Sequence, residues 1–349
     1  MAVTIRDVAR EAGFSYQTIS RVLNNPEKVS PDTIEIVNAA MTKLDYNPNV
    51  SARNLLKKTV DVIGFAYPTD SDLLRTSYFF SVVLAETSKL CRQNNLRLEI
   101  IPVKLDTDYS DSIIKMYRQK AISGVLLSFP NREPSTLINL KRAEIPFMLI
   151  GRPAIDFESY IDSDNIAVGD AAVSRLFELG HRHIGMVNSL DCYTLSQDQM
   201  TGFQNALKRT AGYRDGKDLK GQEDFSALAV NTDLTFESSY AAAETLLKKH
   251  PELTAVITID EICALGTIEA AKGTGRAVPD SLSVLSLSYQ PWCAFNNPTI
   301  AGYDRHIALL GRRAAEILIN SIYNNEPPQR EIVPFSYVSG QSVASSAIR

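Results

Sequence analysis

Tyr16, Gln17, Thr18, Ser20 and Arg21 lie within one short run near the start of the chain. These residue types suit contact with DNA. Glutamine can pair bidentately with adenine and arginine with guanine, tyrosine brings a hydroxyl and an apolar ring edge into the major groove, and serine and threonine hydroxyls hold phosphates. Such chemistry needs the five side chains on the outer face of one helix. The spacing predicts that helix: Ser15 is a suitable N-cap, and Ile19, Val22 and Leu23 fall together on the opposite face. Upstream, Thr4 precedes Ile5, Val8, Ala9 and Ala12 at helical spacing, Thr4 and Asp7 form a capping pair, and Gly13 breaks the helix. Two short helices joined by a glycine-containing turn are the helix-turn-helix pattern. A third helix is predicted from the Ser30 cap and Pro31 through Ile34, Val37, Met41 and Leu44, stopping at Asn47-Pro48. The competing reading of this segment is a three-helix protein-docking module with a solvated polar face.

Residues 49–58, NVSARNLLKK, are too short and too weakly amphipathic for a stable isolated helix, which suggests a segment that orders on binding or a plain basic linker. From Val60 onward, apolar runs of strand length alternate with amphipathic stretches: 60–67, 96–101, 124–129, 146–151, 183–188, 254–259 and 282–287. That alternation is the βαβ signature of parallel sheets, and so many strands predict two lobes. Ligands in such sheets bind beyond the carboxyl ends of the strands, so a two-lobed version predicts a site between lobes. His181 and His183 are an i, i+2 pair at a helix-to-strand turn and read as structural; no metal site is expected. Gly273-Thr274-Gly275 lacks the spacing of a phosphate loop, and no nucleophile elbow or Cys/His pairing points to catalysis. No catalytic residues and no cofactor are expected.

The stretches TIRDVAREAGFSYQTISRVLNN and VSPDTIEIVNAAMTKLDYNPN resemble the head of the LacI/GalR family of bacterial repressors. IPFMLIGRP, YIDSDNIAVGDAAVSRLFELGHRHIGMV, AVITIDEICALGTIEAA and LSVLSLSY resemble that family's effector domain, which is similar to periplasmic sugar-binding proteins. The resemblance covers essentially the whole chain. It implies base contacts at Tyr16, Gln17 and Arg21, and phosphate or positioning contacts at Thr4, Ser15, Thr18, Ser20, Asn24, Ser30, Thr33 and Asn49. Ala52 and Leu55 match the small residue and the leucine wedge of a hinge helix that enters the minor groove. Ile34-Glu35 departs from a pattern in which a basic residue follows Thr33. In the body the departures gather at the ligand: Gln199 stands where the family commonly has Arg, Asp260-Glu261 where it has Asn-Asp, and Ser288 where it has Asp. The effector-binding candidates are Tyr160, Gln199, Phe225, Asp260, Ser288 and Arg152. Tyr78, Phe79 and Phe80 are further aromatic candidates for stacking on a sugar face.

The implied fold is an all-α helix-turn-helix head on a two-lobed, periplasmic-binding-protein-like α/β body with parallel sheets. The expected divisions are a head at 1–48, a hinge at 49–58 and a body at 59–349. Lobe one is expected at about 60–160 and 291–323, and lobe two at about 161–290 and 324–349, with three crossings between them. The implied function is a sequence-specific transcriptional regulator, a repressor of carbohydrate-utilisation genes. Its expected partners are a pseudo-palindromic double-stranded operator, a second copy of itself, and a small-molecule effector, a sugar or oligosaccharide. A sugar-binding module without gene control, or a regulator answering to a protein, are the other readings.

Charge fits this division only mildly. The 349 residues carry a net charge of −4, of which residues 1–58 hold +2 and the remainder −6. Arg6 and Asp7 interrupt any leader-like apolar stretch, and no run approaches eighteen apolar residues, so a cytoplasmic protein without a membrane partner is expected. Cys91, Cys192, Cys263 and Cys293 are widely scattered, as reduced buried thiols would be.

Overall fold

The computed structural model describes residues 3–24, 28–46, 59–68, 78–104, 107–128, 134–190, 193–211 and 228–346. Two units separate by internal contact, residues 1–60 and 61–349.

In the first unit, α1 (Ile5–Ala12) begins where the Asp7 carboxylate accepts from Thr4 N and Oγ1 at 2.9 and 2.7 Å. It ends at Gly13, whose φ of 74° suits the left-handed region that glycine adopts without strain. α2 (Tyr16–Asn24) follows Ser15, which accepts from Thr18 N at 3.2 Å. α3 (Pro31–Lys43) starts with Pro31 at its first position and Ser30 capping Thr33 N. Val8, Ile19, Val22, Val37 and Ala40 form the buried centre, flanked by Ile5, Ala12, Phe14, Ile34 and Leu44. Lys43 and Glu11 pair across α1 and α3 at 2.5 Å.

The second unit is built on two sheets. The first has the order β11-β5-β4-β3-β1-β2, with β1 (Val62–Pro68), β2 (Arg97–Val103), β3 (Val125–Ser128), β4 (Phe147–Ile150), β5 (Tyr160–Ser163) and β11 (Arg330–Val333), and every pairing is parallel. The second has the order β12-β10-β9-β8-β6-β7, with β6 (Ile184–Ser189), β7 (Ala229–Thr232), β8 (Ala255–Thr258), β9 (Ser283–Ser286), β10 (Ala301–Asp304) and β12 (Ser336–Val338). Only the β10–β12 pair is antiparallel among the described pairings. α4 (Tyr78–Gln93) and α11 (Ile307–Tyr323) pack together over the first sheet, whose core gathers Ile63, Phe65, Phe80, Leu126, Met148 and Leu318. α5 (Ser110–Arg118) and α6 (Ser135–Arg142) form a second helix pair beside that sheet. On the second sheet, α7 (Asn165–Glu178) pairs with α8 (Thr194–Ala211), and α9 (Phe236–Lys249) with α10 (Glu261–Gly273).

Sheet membership fixes the three crossings at residues 163–165, 304–307 and 333–336. This corrects the lobe divisions expected from the sequence. β5 belongs to the first sheet through Tyr160–Ser163, so lobe one extends past 160. β10 pairs with β9, so residues 301–304 belong to lobe two, and β11 pairs with β5, so residues 330–333 belong to lobe one. The reason is physical. These strands mix polar or charged with apolar positions, as in Tyr-Ile-Asp-Ser, Ala-Gly-Tyr-Asp and Arg-Glu-Ile-Val, so they lack the apolar runs by which the other strands are recognised.

Candidate functional site

The head supplies the first candidate surface. α2 buries Ile19 and Val22 and turns Tyr16, Gln17 and Arg21 outward, with Tyr16 55% exposed. Thr18 and Ser20 are partly buried beside them. The hydroxyls of Ser15 and Thr18 lie 3.0 Å apart, and those of Ser30 and Thr33 lie 2.8 Å apart, so each pair closes the first turn of its helix. A helix start with fixed hydroxyls and free backbone amides is suited to a phosphate oxygen. Thr4 is exposed but already engaged by Asp7, whose carboxyl is held below the usual range by those bonds. Asn49, Ala52 and Leu55 lie outside the described residues, as does the side chain of Asn24.

The second candidate is the cleft between the two sheets, a space of about 990 Å³ with its open mouth included. It forms where the strands of both sheets reach their carboxyl ends, as the strand topology requires. β4 leads to Ile150 and Gly151, β5 supplies Asp162, β8 leads to Ile259, Asp260 and Glu261, β9 leads to Ser288 and Gln290, and the end of β10 delivers Arg305. Tyr78 and Phe79 from α4, Tyr193 and Thr194 at the start of α8, and Leu234, Ile307 and Leu310 complete the wall. Apolar walls with a few convergent polar groups are the usual make-up of a small-molecule site.

The polar groups are held by their own networks. Asp162 accepts from Arg152 N at 2.9 Å, Ser163 N at 2.8 Å and Asn165 Nδ2 at 3.0 Å. Burial pushes its carboxyl up to about 6 despite those bonds. Asp260 caps α10 through Cys263 N at 2.8 Å. Burial raises both Asp260 and its neighbour Glu261, and the charge of Asp260 pushes Glu261 further in the same direction. Glu261 is 7% exposed, and its Oε2 has no hydrogen-bond partner. Arg305 donates from Nη1 to Asn165 Oδ1 at 3.5 Å, while its Nε has no partner. Burial lowers the Arg305 guanidinium, opposed by the surrounding carboxylates Asp162, Glu261 and Asp260. Gln290 Nε2 donates to Ser288 Oγ at 3.4 Å.

Of the effector candidates, Asp260 and Ser288 line the cleft, and Tyr160, Gln199 and Arg152 do not. Arg152 instead makes a two-pronged bond to Asp198, Nε to Oδ2 at 2.7 Å and Nη2 to Oδ1 at 2.8 Å, which ties the end of β4 to α8 across the lobes. Thr194 Oγ1 adds a bond to Arg152 O at 2.7 Å on the same seam. Tyr160 is 8% exposed within β5, with the Arg330 guanidinium 5.3 Å over its ring. Gln199 is fully buried between α7 and α8, 3.5 Å from Asn165 Oδ1. Phe225 lies outside the described residues. Tyr78 and Phe79 reach the cleft, whereas Phe80 is buried in the first core.

Asp162, Glu261, Gln290 and Arg305 were not among the effector candidates, although Glu261 was noted as a departure. Their signal was positional: each stands within a few residues of a strand end, but the strands β5 and β10 had first to be recognised. His181 bonds Thr254 Oγ1 at 3.0 Å and Ala344 O at 2.9 Å, a tie between the α7 turn, β8 and the last described segment. Among the described residues no group of three His, Cys, Asp or Glu could hold a metal ion, and no helix is long and apolar enough to cross a membrane. Cys91, Cys263 and Cys293 are buried free thiols, and Cys192 lies outside the described residues.

Comparisons with known proteins match both units. Residues 4–49 match the family described as bacterial regulatory proteins, lacI family, and residues 173–343 match the periplasmic binding protein-like domain. Relatives include the HTH-type transcriptional regulator MalR of Streptococcus pneumoniae, 29% identical over 93% of this chain and 94% of its own length. The HTH-type transcriptional regulator CelR of Thermobifida fusca is 27% identical over 91% of this chain and 92% of its own. Among solved structures, the Lac repressor dimer bound to operator and the anti-inducer ONPF superposes with a TM-score of 0.83 at 21% identity, covering 99% of this chain and all of that one. A CelR–cellobiose complex superposes at 0.72 with 24% identity, covering 97% and 99%. A helix-turn-helix head with its polar face outward, joined to a two-sheet body with a cleft at the strand ends, thus coincides with the regions matched, and the chain belongs to the LacI/GalR family of bacterial regulatory proteins.

Proposed function

We propose that this protein is a homodimeric, sequence-specific transcriptional repressor of carbohydrate-utilisation genes, acting in the cytoplasm, whose operator affinity is switched by a sugar or oligosaccharide held in the cleft. The observation that carries this reading is the division of α2: its apolar face is locked into the head, and Tyr16, Gln17 and Arg21 are presented together to solvent. In this reading those three side chains read bases. Thr4, Ser15, Thr18, Ser20, Asn24, Ser30 and Thr33, with Asn49, position the head on the phosphate backbone. Residues 1–48 form the head, 49–58 the hinge with Ala52 and Leu55 toward the minor groove, and 59–349 the effector and dimerisation domain. One head spans too few base pairs to specify a site, and two related by a two-fold axis match a pseudo-palindrome. The dimer on operator DNA in the Lac repressor structure and the cellobiose in the CelR complex support the partner and ligand classes.

The polar groups of the cleft hold and orient a ligand in this reading, with no catalytic step and no cofactor. Ligand contact falls to Asp260, Ser288, Gln290 and Arg305, with Tyr78 and Phe79 for the apolar face of a sugar ring. A ligand that bridges the two sheets alters their relative setting and with it the spacing of the paired hinges. A thermal-shift screen of the full chain against mono- and oligosaccharides tests the effector. Stabilisation by a subset of the panel, following RT ln(1 + [L]/Kd), is expected. No stabilisation by any member of a broad panel contradicts the sugar reading.

A further inference from the structure

Among the described residues, the lining of the cleft is unbalanced in both charge and hydrogen bonding. Among the described residues, Asp162, Asp260 and Glu261 line it with one guanidinium, Arg305, and the ion pairs formed by the described residues engage none of the three carboxylates. Asp162 is occupied by three donors of its own lobe seam. Asp260 spends one oxygen on the start of α10. Glu261 is more than nine-tenths buried; the Ser288 hydroxyl donates to its carboxylate, but its Oε2 has no partner. Buried polar groups in folded proteins are ordinarily satisfied, so an orphaned carboxylate oxygen on the wall of a cleft marks a place where a donor arrives from outside. The described donors beside it are already used, since the Ser288 hydroxyl bonds the Glu261 carboxylate and Gln290 is turned to Ser288.

A hydroxyl would bring one proton donor and no charge. An ammonium brings three donors and a positive charge, which also offsets the surplus of carboxylates over cations in a region of low effective dielectric. We propose, resting on the sugar reading above, that the effector is an amine-bearing saccharide whose ammonium group is held between Asp260 and Glu261. Arg305, on the crossing at residues 304–307, then binds ring or hydroxyl oxygens and sets the orientation of the sugar.

Calorimetric titration of the full-length protein at neutral pH with matched sugars tests this. The sets are glucosamine, N-acetylglucosamine and glucose; galactosamine, N-acetylgalactosamine and galactose; and the β-1,4 disaccharide of glucosamine with its acetylated form and cellobiose. In the set that fits the cleft, the amine is expected to bind at least about tenfold more tightly than its hydroxyl counterpart, and acetylation, which removes the charge, to erase that advantage. Glu261→Gln, checked for native circular dichroism, is expected to reduce the preference to about threefold or less. Arg305→Gln, which removes a cation from the cleft wall, is expected to widen it. A neutral sugar binding as tightly as its amine, or an amine preference that survives Glu261→Gln, overturns the proposal while leaving the sugar reading in place. Binding by no member overturns the proposal, and the broad thermal-shift panel then decides the sugar reading separately.

Discussion

Specificity at the residue scale rests on few atoms. Arg21 is exposed on the outer face of α2, so its loss removes a base contact without disturbing Ile19 or Val22 beneath it. Arg21→Ala is expected to weaken binding to the preferred operator by about 1–3 kcal/mol and to relax discrimination at one base pair, measured by anisotropy against single-base operator variants. The cleft carboxylates make a second prediction. Asp162 is raised to about 6, and Asp260 and Glu261 are raised as well, because burial disfavours their charged forms. A group whose folded value lies above its unfolded one holds its proton more tightly when folded. Its stabilising contribution is therefore full below about pH 4 and is lost as pH rises through the folded value. His181, lowered by burial, works in the opposite sense over part of the same range, so the informative quantity is a difference between chains. Between pH 4 and pH 7.5 the unliganded wild type is expected to lose on the order of 2 kcal/mol more than Glu261→Gln in urea unfolding. Parallel curves for the two proteins would contradict the assignment of Glu261 as a buried, strained carboxylate.

At the scale of elements, the seam between α7 and α8 positions much of the site. These helices approach so closely that a Cβ on Gly202 would overlap Ile166 O, and one on Gly169 would overlap Gln199 O. Both obstacles are backbone, which cannot swing aside. Gly202→Ala is expected to destabilise the body by at least about 1–3 kcal/mol in denaturant unfolding, and to weaken effector binding because α8 carries Thr194 and Asp198. The helices of the head were legible in the sequence because caps and apolar spacing are local: Thr4 with Asp7, Ser15, Gly13, and Ser30 with Pro31 all act where they were expected. The fully buried central strands were legible for the same reason, since their apolar runs are local. Arg152, Tyr160 and Gln199 were expected at the ligand because of residue type and family position. Their destinations depend on what long-range packing brings to them: Asp198 claims Arg152, the β4–β5–β11 ladder encloses Tyr160, and the α7–α8 contact swallows Gln199. Arg305 was hidden for the converse reason. Its place in the cleft depends on β10 joining the second sheet just before the chain crosses back, which a strand reading Ala-Gly-Tyr-Asp does not announce.

At the scale of the whole molecule, the mild charge asymmetry acquires a meaning. A head segment at +2 neutralises few phosphates, so its non-specific affinity for DNA is weak, and the −6 remainder does not add to it. Operator affinity must then come from pairing two heads and ordering two hinges, which is the arrangement most open to control by a ligand. The central claim is that cleft occupancy and operator affinity are one linked equilibrium. Its most direct test is anisotropy on an operator selected from a random double-stranded library, titrated with the full-length protein with and without a saturating ligand from the thermal-shift screen. The account predicts that the selected site is a pseudo-palindrome and that the ligand shifts operator Kd by about tenfold or more. The shift should vanish in the Asp260→Ala, Glu261→Gln double variant while its unliganded operator affinity is retained. An operator Kd unmoved by a ligand that demonstrably stabilises the protein would contradict it.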